Sequence, residues 1–230
     1  MTPATYPDPT AAADRGGAPT PDAEPAAAIP AAPAASHEEE PAGVPTGETA
    51  RPSRLARLDE ADRRVSRRVA VVWPHPAWFT RPLGLLSRSA NHGILWYGLS
   101  LLPWLAGHAR PLAAYLYVAV PVTLVEVLGF GIKSVVRRRR PTVADPDLPE
   151  QIRRPITPSF PSSHASMAVV GTMTMGAMYP AWVPALLVLT AVLCFSRVYL
   201  GVHYLGDVAG GLVWGLLFGI ATLWLVGPPL

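Results

Sequence analysis

Residues 196–207 read Ser-Arg-Val-Tyr-Leu-Gly-Val-His-Tyr-Leu-Gly-Asp, which places an arginine, a histidine and a carboxylate between two apolar segments. If a helix begins near His203 and runs through residues 205–226, Asp207 lies one turn further along on the same face. Its carboxylate can then accept a hydrogen bond from one ring nitrogen, which leaves the other nitrogen free as a base or nucleophile. The structural alternative is an aspartate that only complements the dipole at the start of a helix.

Composition points to a membrane protein with one folded domain. The chain has 230 residues, of which half are hydrophobic, and its mean hydropathy is +0.26. Lys133 is the only lysine, so the positive charge comes almost entirely from arginine. Cys194 is the only cysteine, which excludes an intramolecular disulfide.

Three regions differ in composition along the chain. Residues 1–52 are rich in alanine and proline, and we predict a disordered tail because such a segment buries too little apolar area.

Residues 53–90 begin with arginines and aliphatic residues at helical spacing and continue with tryptophan and phenylalanine. This pattern is typical of a basic amphipathic helix on a membrane surface, with nucleic-acid binding as the rival interpretation. The aromatic cluster favours the headgroup interface, so we expect membrane lipids rather than nucleic acid as the partner.

The remaining residues, 91–230, are expected to form the transmembrane core. Segments 111–132 and 204–226 are long enough to cross a bilayer, whereas 93–107, 165–179 and 181–195 are shorter. Residues 69–86 contain three prolines and are not expected to span. The predicted fold is therefore all-α: an integral-membrane bundle of about five to six helices with a disordered N-terminal tail.

Two features inside the predicted spans call for packing partners. Gly211, Gly215 and Gly219 recur every four residues, which allows another helix to approach closely. Glu126 lies within an apolar segment, where an ionisable group needs a partner. It could support an active-site arginine or pair elsewhere in the bundle.

Polar residues collect at the helix ends that an up-and-down bundle brings to one membrane face. The segment Pro161-Ser162-Ser163-His164 enters a helix, and the N-terminus of a helix suits an anion such as phosphate. Capping by the two serines is the structural alternative. The same face is expected to carry three cations, which are Lys133, Arg140 and Arg197.

These residues resemble the type 2 phosphatidic acid phosphatases, which share a core with the vanadium haloperoxidases. The family pattern is lysine, six residues, Arg-Pro; then Pro-Ser-Gly-His; then Ser-Arg, five residues, histidine, three residues, aspartate. The chain matches the first and third parts with the correct spacing, and it departs from the second only at Ser163, where glycine is usual. If that position required a positive φ, serine would be strained; the start of a helix would accept it.

The resemblance implies a metal-free lipid phosphatase without a cofactor. His203 would attack phosphorus and form a phosphohistidine, and Asp207 would orient its ring. His164 would protonate the leaving group and then activate water. Substrate binding would fall to Lys133, Arg140, Ser162, Ser163 and Arg197, the serines through their backbone amides.

The substrate expected from the resemblance is a phosphorylated lipid. Phosphatidate, phosphatidylglycerophosphate, polyprenyl diphosphate and a polyprenyl-phosphoryl sugar phosphate all fit, and the compact size resembles small bacterial members of the family. A non-catalytic membrane protein that binds anionic lipids or partners is the alternative, and a haloperoxidase is disfavoured by the apolar spans. The arginine distribution favours a cytoplasmic site, although two of those arginines belong to the site itself.

Overall fold

Helices form all the regular structure in the residues that the computed structural model describes, which are 53–105, 110–145, 148, 152 and 156–229. In chain order they are α1 (Arg54–Arg67), α2 (Ala77–Ser89), α3 (Ile94–Leu99), α4 (Leu102–Leu105), α5 (Pro111–Val136), α6 (Pro141–Ala144), α7 (Ser163–Met178), α8 (Val183–Tyr199) and α9 (Leu205–Leu225). A π-helical turn at Arg68–Val72 continues α1. The all-α prediction is confirmed. The tail predicted at residues 1–52 lies outside the described residues.

Three described segments are long and apolar enough to cross a membrane: Pro111–Ala144, Pro180–Tyr199 and Leu205–Leu225. The outer face of α9 leaves large side chains uncovered, among them Leu217, 59% exposed, and Trp224, 84% exposed. Such a surface is stable only against lipid, because water would penalise so much contiguous apolar area.

Helix α7 lies at the centre of the bundle and packs against α5, α8 and α9. It has 16 residues, which corresponds to roughly 24 Å at about 1.5 Å per residue and is less than the hydrocarbon thickness of a bilayer. Its inward residues Met167, Val170 and Met175 are almost fully buried in the main apolar core. Neighbouring helices rather than lipid therefore cover this helix.

The glycines of α9 bring that helix into direct contact with α7. A Cβ atom at Gly211 would lie 2.5 Å from the carbonyl oxygen of Ser162, and one at Gly215 would lie 2.6 Å from that of Ser166. At Gly219 it would lie 2.4 Å from the sulfur of Met173. The close approach predicted from the spacing of these glycines is confirmed, and it fixes the position of the α7 N-terminus against α9.

Gly215→Ala is expected to destabilise the bundle, because the backbone oxygen of Ser166 cannot rotate away from the added methyl group. Overpacking of this kind costs about 1–3 kcal/mol, which lowers the Tm by roughly 3–10 °C in a chain of this size. Thermal unfolding in detergent measures the effect. Gly131→Ala on α5, where a Cβ atom meets nothing within 4 Å, is the matched control. Equal Tm values for the two variants would contradict the prediction.

The single helix expected at residues 93–107 is wrong for the described part of that segment. α3 ends at Leu99, and a separate short helix, α4, begins at Leu102. The hydroxyl of Ser100 donates to the carbonyl of Tyr97 at 2.8 Å, and Pro103 has no amide hydrogen to continue a helical ladder. These two effects break the segment after one and a half turns.

The two N-terminal helices pack on the end of the bundle that carries the polar motifs. α2 packs against α8, where Leu83 joins Tyr199 and Leu200 in a small buried cluster. α1 packs against the beginning of α9. Both helices therefore lie close to the predicted site.

Candidate active site

Backbone hydrogen bonds bring the three motif segments together. The amide of Ser159 donates to the carbonyl of Arg138 at 2.9 Å, and the amide of Ser162 donates to the carbonyl of Asp207 at 2.9 Å. Arg137 ends α5 in the left-handed conformation, with a φ of 49°, so the chain reverses and residues 138–140 run back over the bundle. Segments far apart in sequence are thus held in one place.

A cavity of about 870 Å³ opens at this meeting point. Six of the eight predicted site residues line it: Lys133, Arg140, Ser163, His164, Arg197 and His203. Asp207 and Ser162 are fully buried behind it. The arrangement places two imidazoles and three cations around one space that is large enough for a lipid headgroup.

One ring nitrogen of His203 faces a cation and the other faces a carboxylate. Its Nε2 lies 3.1 Å from Nη1 of Arg140, and its Nδ1 lies 3.5 Å from Oδ2 of Asp207. The residue lies in the turn between α8 and α9, outside the spanning segments, and is 2% exposed. Burial lowers the pKa of His203 well below its usual value, and the nearby charges of Arg140, Arg197 and Lys133 lower it further. The ring is therefore neutral at pH 7, which is the nucleophilic form.

The carboxylate of Asp207 accepts two hydrogen bonds. Its Oδ2 accepts from the amide of Tyr204 at 2.9 Å, which caps α9. Its Oδ1 accepts from Nη1 of Arg138 at 2.8 Å. His203 precedes α9, which begins at Leu205, so residues 203 and 207 do not share a helical face, although their side chains lie close together. The capping alternative applies to Asp207.

Three cations that form no ion pair within the described residues line the cavity. Lys133, Arg140 and Arg197 are each at most 4% exposed, and in the described part of the chain none of them has an acidic side chain within ion-pair distance. Carbonyl oxygens hold two of them in place: Lys133 donates to Pro158 at 3.3 Å, and Arg140 donates to Thr157 at 2.7 Å and Val202 at 2.8 Å. Because buried positive charge is costly unless paired, the site is built for a polyanion.

His164 is oriented by α2. Its Nε2 lies 3.0 Å from the carbonyl oxygen of Ser87. A carbonyl can only accept, so Nε2 carries the hydrogen and Nδ1 is the nitrogen that gains or loses a proton. The hydroxyl of Ser87 also accepts a hydrogen bond from Nη1 of Arg197. One serine thus positions both a site histidine and a site cation.

The two serines of the second motif differ in what they offer. The amide of Ser162 is already bonded to Asp207, so the expectation that both serine amides face a phosphate is wrong for Ser162. Its hydroxyl makes no capping bond to α7. Ser163 begins α7 and lines the cavity, and its φ is not positive. A residue at the start of a helix needs no glycine, which explains why serine is accepted there.

Sequence reasoning missed two residues and left a third undecided. Ser87 carries no motif signal, and Arg138 is hidden in a run of four arginines. Glu126 pairs with His92, whose Nδ1 lies 3.2 Å from Oε1. This confirms the alternative in which the glutamate pairs within the bundle, and both residues line the cavity.

Comparison with known proteins assigns the chain to a family. A family model described as the PAP2 superfamily matches residues 112–228. The chain belongs to the PAP2 superfamily. The match covers α5 through α9, the elements that carry the three motifs, so the resemblance seen in the sequence is confirmed.

Two similar proteins carry the name of a phosphatase. The chain is 33% identical over 134 residues to a decaprenylphosphoryl-5-phosphoribose phosphatase of Mycobacterium tuberculosis, covering 58% of this chain and 73% of the relative. It is 36% identical over 126 residues to the protein of that name from Mycolicibacterium smegmatis, covering 55% and 67%.

Two solved structures share the fold. One is a transmembrane PAP2-type phosphatidylglycerolphosphate phosphatase from Bacillus subtilis, with a TM-score of 0.58, 20% identity and coverage of 74% of this chain and 86% of that one. The other is Aquifex aeolicus LpxE, with a TM-score of 0.59, 21% identity and coverage of 70% and 93%. Together with the apolar spans, these relations identify an integral-membrane phosphatase of the PAP2 type.

Proposed function

We propose that the protein removes the terminal phosphate of a polyprenyl-phosphoryl sugar phosphate through a phosphohistidine at His203, without a metal ion. The observation that carries this proposal is the trio of buried cations, Lys133, Arg140 and Arg197, that lines the cavity with both histidines and has no carboxylate partner within the described ranges. Such charges stabilise the non-bridging oxygens of a transferring phosphoryl group, which is the dominant contribution in phosphoryl transfer.

The first step forms a bond between Nε2 of His203 and phosphorus while the bond from phosphorus to the sugar oxygen breaks. His164, protonated on both nitrogens when the anion is bound, gives the Nδ1 proton to the leaving oxygen. In the second step Nδ1 of His164 takes a proton from a water molecule. The oxygen of that water attacks phosphorus, and the bond from phosphorus to Nε2 of His203 breaks to release phosphate. Asp207 balances the positive charge on the phosphorylated ring.

The charge of the site supports the metal-free part of the proposal. Divalent cations in phosphoryl-transfer enzymes are bound by carboxylates together with substrate oxygens. Here the motif residues that line the cavity are a lysine, two arginines, two histidines and a serine, and Glu126 is the one carboxylate in the lining as described. Three fixed positive charges supply the neutralisation that a metal ion would otherwise provide.

A second pair of arginines supports a substrate with two phosphates. Arg81 and Arg88 lie two helical turns apart on α2 and line the same cavity. Neither has an acidic partner in the described segments, and Arg88 donates only to the carbonyl of Gly84, at 3.2 Å. The names of the Mycobacterium tuberculosis and Mycolicibacterium smegmatis relatives describe a lipid with a phosphoryl link and a separate sugar phosphate. In such a lipid the arginines of α2 would bind the link while the buried trio binds the terminal group.

The test is phosphate release by the purified protein in detergent with EDTA, from polyprenyl-phosphoryl ribose 5-phosphate, polyprenyl diphosphate and phosphatidate. The first lipid should give the highest kcat/KM, and brief exposure to it should leave an acid-labile, base-stable phosphoryl group on the protein. Activity that disappears with EDTA and returns with magnesium would overturn the metal-free mechanism. A preference for phosphatidate would overturn the substrate class.

The double variant Arg81→Ala and Arg88→Ala is expected to raise the KM for polyprenyl-phosphoryl ribose 5-phosphate by about tenfold, because charge-assisted contacts to the link are lost. The KM for phosphatidate, which has a single phosphate, should stay within about twofold. Arg64→Ala on α1, an exposed arginine paired with Glu60, controls for loss of surface charge. Equal changes in KM for the two lipids would show that these arginines do not bind a second phosphate.

A further inference from the structure

Arg138 lies at the centre of a carboxylate cluster that the proposed mechanism leaves unexplained. Its Nη1 donates to Oδ1 of Asp207 at 2.8 Å, and its Nη2 donates to Oδ1 of Asp59 at 2.6 Å and to Oδ2 of Asp62 at 2.8 Å. The guanidinium also lies 4.3 Å above the centre of the Tyr204 ring. Asp59 and Asp62 belong to α1, so this side chain links the N-terminal helix to the residue behind His203.

Helix α1 is fixed to the beginning of α9 by further contacts. The amide of Gly206 donates to Oδ1 of Asp62 at 2.9 Å, and the amide of Leu205 donates to the hydroxyl of Ser66 at 2.8 Å. These are amides of the first helical turn, which have no partner within their own helix. A Cβ atom at Gly206 would lie 2.6 Å from Oδ2 of Asp62. The two helices therefore touch at the turn that holds Asp207.

The charges of the cluster explain why α1 matters to His203. An arginine paired with Asp207 alone would cancel the negative charge that the phosphorylated ring needs. Two more carboxylates share Arg138, and Arg63 pairs with Asp59 at 2.8 Å. Three carboxylates against two guanidiniums leave one net negative charge beside the histidine. Arg138 can thus orient Asp207 without neutralising it.

We propose that Arg138 is a positioning residue for Asp207, and that Asp59 and Asp62 of α1 hold Arg138 in place, so that the N-terminal helix is part of the phosphoryl-transfer machinery. This inference rests on the proposed function of His203. Arg138 does not line the cavity, so it acts through Asp207 rather than on the substrate. Its loss should therefore change kcat and leave KM unchanged.

The experiment measures kcat and KM for phosphate release from polyprenyl-phosphoryl ribose 5-phosphate by the full chain in detergent. Arg138→Ala is expected to lower kcat by about 10- to 100-fold, because a charge-assisted bond to Asp207 is lost. Arg138→Lys should recover part of the loss, since it keeps the charge. Arg139→Ala, the exposed neighbour in the same arginine run, is the matched control and should leave kcat unchanged.

The contribution of α1 is tested separately. The double variant Asp59→Asn and Asp62→Asn keeps the shape of both side chains and should lower kcat about tenfold. Glu60→Gln removes a carboxylate from the same helix, one that pairs only with Arg64 at 2.9 Å, and should have no effect. Gly206→Ala places a methyl group 2.6 Å from Oδ2 of Asp62, so it displaces that carboxylate from Arg138 without changing charge and should also lower kcat.

His203→Ala in the same series separates this inference from the proposed function. If His203→Ala is inactive and Arg138→Ala keeps its kcat, the positioning role of Arg138 is overturned and the proposed function stands. If His203→Ala remains active, the proposed function fails. The positioning role of Arg138 would also be overturned if Glu60→Gln lowered kcat as much as the double aspartate variant. It would likewise be overturned if Arg138→Ala raised KM and left kcat unchanged. Thermal unfolding of each variant identifies any loss of activity that reflects unfolding alone.

Discussion

His203→Ala is expected to lower kcat for phosphate release by at least about 10⁴-fold, since removal of a covalent nucleophile eliminates the reaction path itself. The side chain is 2% exposed, its Nε2 lies beside Arg140 and its Nδ1 faces Asp207. His92 also faces a carboxylate at the cavity, but among the described histidines His203 is the one whose ring nitrogen lies within hydrogen-bond distance of a site cation, Arg140. The variant keeps the three cations, so substrate should still bind with little change in affinity.

Two measurements check this expectation. Phosphate release under single-turnover conditions gives the rate, and acid-labile phosphoryl label on the protein reports the intermediate. His92→Ala is the matched control, because that histidine also lines the cavity but its side chain is 77% exposed; its kcat should fall by no more than about threefold. Label retained on His203→Ala would assign the nucleophile elsewhere.

His164→Ala is expected to show a loss that depends on the leaving group. A general acid contributes about 10²- to 10⁴-fold when the departing oxygen is strongly basic, as in a sugar phosphate. An aryl phosphate leaves as a weakly basic phenolate and needs little protonation, so the loss should be about tenfold or less for the chemical step that breaks its ester bond. The carbonyl of Ser87 fixes which nitrogen carries this proton.

The ratio of the two losses is the informative quantity. It is obtained from burst kinetics, because hydrolysis of the phosphohistidine also needs His164 as a base and would otherwise mask the first step. If the ratio of the rates for alkyl and aryl phosphates in His164→Ala equals the ratio in the wild-type protein, the role of general acid is contradicted. In that case the residue would serve binding or structure only.

The three motif segments show where prediction from sequence succeeds. Spacing alone places Asp207 four residues after His203 and in the first turn of a helix, and the two side chains lie close together although His203 precedes that helix. The reasoning that ends of antiparallel helices meet also brings Lys133, Arg140, Ser163, His164 and Arg197 to one face. All five line the cavity together with His203.

The failures have a common physical origin. Residues 93–107 are apolar enough for a span, but a hydroxyl at Ser100 and the missing amide of Pro103 break the helix. Ser162 was expected to offer its amide to phosphate, but α9 approaches so closely through its glycines that the carbonyl of Asp207 takes the bond. Each outcome depends on competition for one backbone hydrogen bond, which composition does not record.

The interpretation of residues 53–90 as an interfacial helix and aromatic membrane-surface segment stays a prediction, as does the membrane face of the site. α1 leaves Leu55 and Leu58 exposed at 78% and 66%, which suits a helix at the headgroups. Three of its arginines form ion pairs within the protein, which the sequence pattern did not predict. Arg63 pairs with Asp59, Arg64 with Glu60 and Arg67 with Asp145.

The sequence by itself determined which chemical groups this protein uses: two histidines, an aspartate, three cations and the apolar helices that carry them. Their identity and spacing are properties of short segments, and the meeting of helix ends in an up-and-down bundle predicts that they share one face. Only the tertiary structure decided that Ser87 orients His164 and Arg197, and that α1 holds Arg138 against Asp207. Those contacts join residues more than 70 positions apart, so they follow from the packing of whole helices, and no local pattern encodes them.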